Sequence, residues 1–205
     1  AERDDWVSAD SAPISFMMAP GNALELDGVD DYVRIPGNAA INFDKDQDFT
    51  VSLWVKIPSG NQPDTGYVDN DILEYLSEER YPYVIRYFNH THATDAGKIS
   101  VGRYDGTNHP QITSESSLND DQFHHVAFVK DGGTLYLYID GVLESSTPDT
   151  TTSTTQSSLD LCIGSREDRN RFKGVVDEVR VWNTARTDIE ILKTMNKPLA
   201  GDEPG

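Results

Sequence analysis

The stretch His124-His125-Val126-Ala127-Phe128-Val129-Lys130-Asp131-Gly132-Gly133-Thr134-Leu135-Tyr136-Leu137-Tyr138-Ile139-Asp140-Gly141-Val142-Leu143 decides the fold. His125, Ala127 and Val129 fall on one side of an extended chain, and Leu135, Leu137 and Ile139 alternate with Tyr136 and Tyr138. That period of two is the signature of a half-buried strand. Asp131-Gly132-Gly133 and Asp140-Gly141 separate the runs, and Asp-Gly tolerates the positive φ angles of a tight hairpin. Val126 to Ser146 therefore reads as a three-stranded antiparallel meander.

Working outward, strands are predicted at Ala23–Asp27, Tyr32–Ile35, Phe49–Ile57, Tyr83–Phe88, Lys98–Tyr104, Leu159–Ile163 and Gly174–Trp182, each bounded by Gly, Pro, Asn or Asp. Short strands at this spacing, with almost no helical period between them, predict an all-β chain of two packed antiparallel sheets. One helix is predicted near the end, where Thr187 and Glu190 form a capping box ahead of Ile191 and Leu192. In Ser145 to Ser158, eleven of fourteen residues are Ser or Thr. Without apolar anchors, this segment is expected as a mobile surface loop. Residues 198–205 have linker composition.

Thirty-five acidic residues against seventeen basic ones give a formal charge of −18. A phosphate-backbone binder needs clustered Lys and Arg, so nucleic acid and anionic membrane surfaces are poor partners. The longest apolar runs, such as Val126-Ala127-Phe128-Val129, fall far short of the ~18 residues of a membrane-spanning helix, so no membrane insertion is expected. Cys162, the single cysteine, has no intrachain disulfide partner. Much of the negative charge lies in Asp-rich turns at residues 27–31, 44–48 and 69–71, which read as solvated loops.

Three segments together resemble the laminin-G-like, concanavalin-A-like jelly-roll domains of bacterial extracellular proteins. They are the run from Ala23-Leu24-Glu25-Leu26-Asp27-Gly28 to Ile35-Pro36, then Phe49-Thr50-Val51-Ser52-Leu53-Trp54-Val55-Lys56, then the meander. A fourth, Phe172-Lys173-Gly174-Val175-Val176-Asp177-Glu178-Val179-Arg180-Val181-Trp182-Asn183, is similar to the family's closing strand. The resemblance implies a jelly-roll β-sandwich over residues 21–197, with residues 1–20 an added strand or linker and 198–205 a linker toward a further module. It also implies a secreted or cell-surface multidomain protein, and a structural Ca²⁺ joining the first-strand region to the closing strand. By motif match the calcium ligands are Asp27 and Asp177. The family hosts lectins, adhesion modules, carbohydrate-binding modules and glycosidases, so fold alone does not choose among them.

A sugar site combines an aromatic platform with a few directional polar groups. Trp54, Arg86, Tyr104, Asp105 and His109 are the candidate ligand-binding residues on that criterion. Glu25 and Asp27 superficially echo the acid and nucleophile of a retaining glycosidase, but Gly28 interrupts their strand. Asp44-x-Asp46-x-Asp48 opens like an EF-hand, yet Phe49 stands at the sixth position and Val55 at the twelfth, which rules that motif out. His90-x-His92 lacks a third zinc ligand nearby, and no Gly-x-Ser-x-Gly elbow occurs. The expectation is a non-catalytic, calcium-assisted carbohydrate-binding or adhesion module. The alternatives are a concanavalin-A-like glycoside hydrolase and a structural spacer or protein-adhesion domain.

Overall fold

A computed structural model describes residues 14–15, 23–63, 66–75, 79–166 and 169–199. Along the chain the strands are β1 (Ile14–Ser15), β2 (Leu24–Asp27), β3 (Val33–Ile35), β4 (Phe49–Lys56), β5 (Asp69–Tyr75), β6 (Tyr81–Phe88) and β7 (Lys98–Tyr104). They continue as β8 (Gln111–Ser117), β9 (Phe123–Asp131), β10 (Thr134–Ile139), β11 (Val142–Pro148), β12 (Leu161–Ile163) and β13 (Lys173–Trp182), and an α-helix, α1, spans Asp188–Thr194. Among the described residues these form two antiparallel sheets. The seven-stranded sheet runs β1-β13-β4-β9-β10-β11 with β2 also on β13; the six-stranded sheet runs β3-β12-β5-β6-β7-β8. Residues 1–13 and 16–20 of the expected N-terminal strand or linker, and 200–205 of the expected C-terminal linker, lie outside the described residues.

Alternation builds the sandwich. Val51, Leu53, Val55, Val126, Phe128, Leu135 and Leu137 point inward from one sheet and meet Leu73, Tyr75, Tyr83, Ile85, Ile99 and Val101 from the other. Rings of Phe43 and Phe49 stack at 5.2 Å, and the buried hydroxyls of Tyr75 and Tyr83 both donate to the Ile41 carbonyl, at 2.8 and 2.9 Å. The β9–β10–β11 meander forms as the alternation predicts. Asp140 (φ 52°) and Gly141 (φ 77°) supply its second turn, and a Cβ on Gly141 would stand 2.3 Å from Leu192 of α1. The Thr187–Glu190 capping box closes the start of that helix, whose Ile191 covers Ala127 and Val129 on the outer face of the larger sheet.

Two sequence expectations fail here. The stretch 145–158 is not a loose loop: its first part is β11, and the remainder is a strap tied to the sandwich edge. Arg103, fully buried, donates to Asp149 Oδ2 at 2.9 Å, to Thr155 Oγ1 at 2.5 Å and to the Asp44 carbonyl at 3.1 Å. Thr155 in turn donates to the Phe43 carbonyl at 2.9 Å. A buried guanidinium needs acceptors, and the Ser/Thr-rich strap supplies them where apolar anchors are lacking. The second failure is residues 69–71, expected as a solvated turn, which instead open β5, a central strand of the smaller sheet.

Candidate functional site

Strands β5 and β6 carry an ionic cluster on the outer face of the six-stranded sheet. Leu73 and Tyr75 enter the core, which turns Glu74 outward, and Ile85 and Tyr87 do the same for Arg86. A bulge between Asp71 and Leu73 brings Asp71 to the same side, opposite Arg86. Arg86 Nε donates to Glu74 Oε2 at 2.6 Å and lies 3.5 Å from Asp71 Oδ1 and 3.8 Å from Asp69 Oδ2. Arg166 Nε lies 3.7 Å from Asp71 Oδ2. Asp71 and Glu74 are fully buried, and neither Asp71 oxygen nor Glu74 Oε1 accepts a hydrogen bond. Asp69 and Arg86 keep 16% and 12% of their side chains in contact with solvent.

Burial and the neighbouring Glu74 charge push the Asp71 carboxyl well above the usual carboxylate range. Burial raises Glu74 too, with Arg86 opposing it. For Arg86 burial works against the charge, but Glu74 and the other carboxylates more than offset that and hold it firmly cationic. This group is why Asp69-Asn70-Asp71 can be strand: the polar triplet reads as a turn in isolation, and Arg86 on the next strand together with Arg166 makes its burial tolerable. Arg86 on an otherwise apolar strand was the available signal, since a buried cation requires counter-charges.

An aromatic rim borders Arg86. Its Nη2 donates to the Tyr81 hydroxyl at 3.3 Å, and its guanidinium lies 5.5 Å from the Tyr81 ring centre. Tyr81, Tyr104 and His109 stand in mutual ring contact at centroid separations of 5.7 to 5.9 Å, with the Tyr81 hydroxyl hydrogen-bonded to His109 Nε2 at 3.0 Å. Partial desolvation of the ring where it packs on Tyr81 and Tyr104, and then Arg86, lowers the His109 pKa, so the ring is neutral at physiological pH. Tyr81 is raised to about 12 by burial and stays a phenol. His109 is exposed and Tyr104 half-buried. Gly102 lets their loop close: a Cβ there would meet the Pro110 carbonyl at 2.9 Å.

The structure thus brings together three of the five residues expected to bind ligand. Asp105 is adjacent, but its carboxylate is spent on the loop, accepting from the backbone of Thr107, Asn108, Thr152 and Ser153 at 2.6 to 3.1 Å. Those bonds hold its pKa low against the effect of burial. Trp54 lies on the outer face of the opposite sheet, between Asp177 and His125 in register. Its indole N–H donates to the Met195 carbonyl at 2.8 Å, and it borders a depression of about 440 Å³ with Phe123, Glu178 and Arg180. Arg180 clamps the segment after α1 by donating to the carbonyls of Thr194 and Lys197 at 2.8 and 2.6 Å. Tyr81, Asp69, Asp71, Glu74 and Arg166 are site residues that sequence reasoning missed.

The expected calcium pair does not converge. Asp27 stands opposite Lys173 on β13, while Asp177 is four residues further along, opposite Trp54. At about 3.3 Å per residue that is roughly 13 Å of strand. Asp27 instead groups with Asp30 and Asp31, whose carboxylate oxygens lie within 4.8 Å of one another. Asp27 Oδ1 accepts from Val29 N at 2.7 Å and Asp31 Oδ2 from Asp27 N at 3.1 Å, and the Val29 bond is foremost in lowering the Asp27 pKa. The remaining hard oxygens suit Ca²⁺ by donor type. Glu25 and Asp27 are both exposed on β2, which pairs with β13 alone among the described residues. His92 packs on Phe88 at 4.1 Å, away from any zinc-type cluster among the described residues.

Two antiparallel sheets enclosing one core, with an ionic and aromatic patch on the smaller sheet, define a jelly-roll β-sandwich. The family model described as the concanavalin A-like lectin/glucanases superfamily matches residues 27–192, and the chain belongs to that family. No curated protein matches its sequence. Among solved structures it is similar to the binding domain of Paraclostridial Mosquitocidal Protein 1, with a TM-score of 0.70 at 16% identity over 92% of this chain and 46% of that one. The botulinum neurotoxin serotype D binding domain gives 0.64 at 14% identity over 84% and 41%. Domain 4 of AbnA, a GH43 extracellular arabinanase from Geobacillus stearothermophilus, in complex with arabinotriose, gives 0.59 at 21% identity over 93% and 82%. The chain spans less than half the length of the first two. Among the described residues no helix is long and apolar enough to cross a membrane.

Proposed function

We propose that this chain is a non-catalytic carbohydrate-binding module whose ligand site is the Arg86 patch on the outer face of the six-stranded sheet. One observation carries the reading: a partly exposed guanidinium, fixed by buried carboxylates, stands beside an exposed or half-buried aromatic rim of Tyr104 and His109. Rings of this kind stack on the apolar face of a pyranose, and a fixed polar fork orients its hydroxyls. The arabinotriose bound to the AbnA domain supports the same ligand class. We assign no catalysis, because Asp71 and Glu74 present no surface to a substrate and Glu25 and Asp27 stand on an exposed edge strand. A secreted or cell-surface setting, with the chain tethered to other modules, completes the proposal, as does a structural Ca²⁺ at Asp27, Asp30 and Asp31. A glycan array with and without calcium, paired with a reducing-sugar assay, tests it. Glycan binding without sugar release is expected; release of reducing sugar favours the hydrolase, and failure of every glycan favours a spacer or protein-adhesion domain.

A further inference from the structure

An arginine at the rim of a sugar site ordinarily selects an acidic ligand, because its planar fork matches a carboxylate bidentately. Here two of its three nitrogens are already engaged. Nε is taken by Glu74 at 2.6 Å, with Asp71 and Asp69 within 3.8 Å, and Nη2 is turned to the Tyr81 hydroxyl. The cluster sets two cations, Arg86 and Arg166, against three carboxylates, Asp69, Asp71 and Glu74. Protonation of one carboxylate brings it to neutrality and no further. Asp69, the carboxylate nearest solvent, has one oxygen bonded to Asn170 Nδ2 at 2.7 Å and the other toward Arg86. His109 adds no charge at neutral pH, and the chain as a whole carries −18. An approaching sugar carboxylate therefore meets no surplus of positive charge, whereas the rim rings remain suited to the C–H face of an uncharged sugar.

We infer that the Arg86 site takes uncharged glycans and discriminates against those carrying uronic or sialic acids. The inference rests on the carbohydrate reading of the same site. It is tested with pairs matched except for the ionised carboxylate: homogalacturonan oligomers against their methyl esters, and sialyllactose against its methyl ester, by titration calorimetry at 0.1 M and 1 M salt. The neutral member of whichever pair binds should bind at least about tenfold more tightly at 0.1 M. The gap should narrow at 1 M, where screening shortens from about 10 Å to about 3 Å. Asp69→Asn should raise affinity for the acidic member relative to the neutral one, whereas a purely structural defect would weaken both alike. An acidic member bound as tightly as its neutral partner overturns the inference and leaves the carbohydrate reading standing. Binding of no neutral or acidic glycan overturns that reading, and the inference with it.

Discussion

Arg86 donates from Nε to Oε2 of Glu74 across 2.6 Å, and this bond joins two central strands of the smaller sheet on the face turned away from the core. It satisfies Glu74 only in part and leaves Asp71 in ionic but not hydrogen-bonded contact with its cations. The two carboxylates should therefore respond differently to substitution.

Glu74→Gln removes the charged acceptor of a largely buried arginine and should cost about 2–4 kcal/mol in urea unfolding at pH 7. Asp71→Asn leaves Asp69 and Glu74 against Arg86 and Arg166, a balanced set, and should be neutral or stabilising at pH 8. The pH dependence follows from the raised Asp71 pKa. The folded state binds more protons than the unfolded one above about pH 4, so stability falls as pH rises from there through the folded pKa. Asp71→Asn should flatten that fall between pH 5 and pH 8. A variant less stable than wild type at pH 8, with an unchanged slope, would contradict the assignment.

Arg103 and Asp149 form the second buried pair, at 2.9 Å, and hold the Ser/Thr-rich strap against the sandwich edge. Arg103→Met leaves Asp149 buried and unpaired and should cost about 3–5 kcal/mol, with Asp149→Asn in the same chain restoring part of the loss. Hydrogen exchange should show residues 149–157 losing protection first. Equal protection in wild type and Arg103→Met would mean that the strap is held by other contacts.

Calcium at Asp27, Asp30 and Asp31 predicts a melting temperature raised by about 5 °C or more at millimolar Ca²⁺ after chelation. Asp31→Asn should abolish most of that rise, and Asp177→Asn should leave it intact because Asp177 lies far along β13. An unchanged melting temperature on adding calcium removes the ion from the account.

The meander and the capped helix were legible because alternation, Asp-Gly turns and a Thr-x-x-Glu cap are local signals that tertiary structure had no reason to override. Arg86, Tyr104 and His109 were legible as chemistry by residue type, but their meeting depends on a loop folding over Gly102 that no short window reveals. Strand β5 was hidden because Asp69-Asn70-Asp71 has turn composition, and its burial is compensated by Arg86 on the next strand and by Arg166, far along the chain. Trp54 and Asp177 were each placed on the right strand, yet strand register sets one opposite the other on the far sheet and separates Asp177 from Asp27.

The central claim is that ligand binds beside Arg86 on the six-stranded sheet and not in the Trp54 depression. Titration calorimetry with the best neutral glycan from the array, on Tyr104→Ala, His109→Ala and Phe123→Ala, tests it most directly. His109 is exposed at the rim beside Arg86 and Phe123 is 45% exposed beside Trp54, so truncating either opens no core cavity, whereas Tyr104 also packs against the core and its truncation should lower the melting temperature as well. Tyr104→Ala and His109→Ala should each weaken binding about tenfold or more, equivalent to about 1.4 kcal/mol, His109→Ala with its melting temperature nearly unchanged, while Phe123→Ala binds as wild type. Full affinity in the first two variants with binding lost in Phe123→Ala would contradict the account and move the site to the opposite sheet.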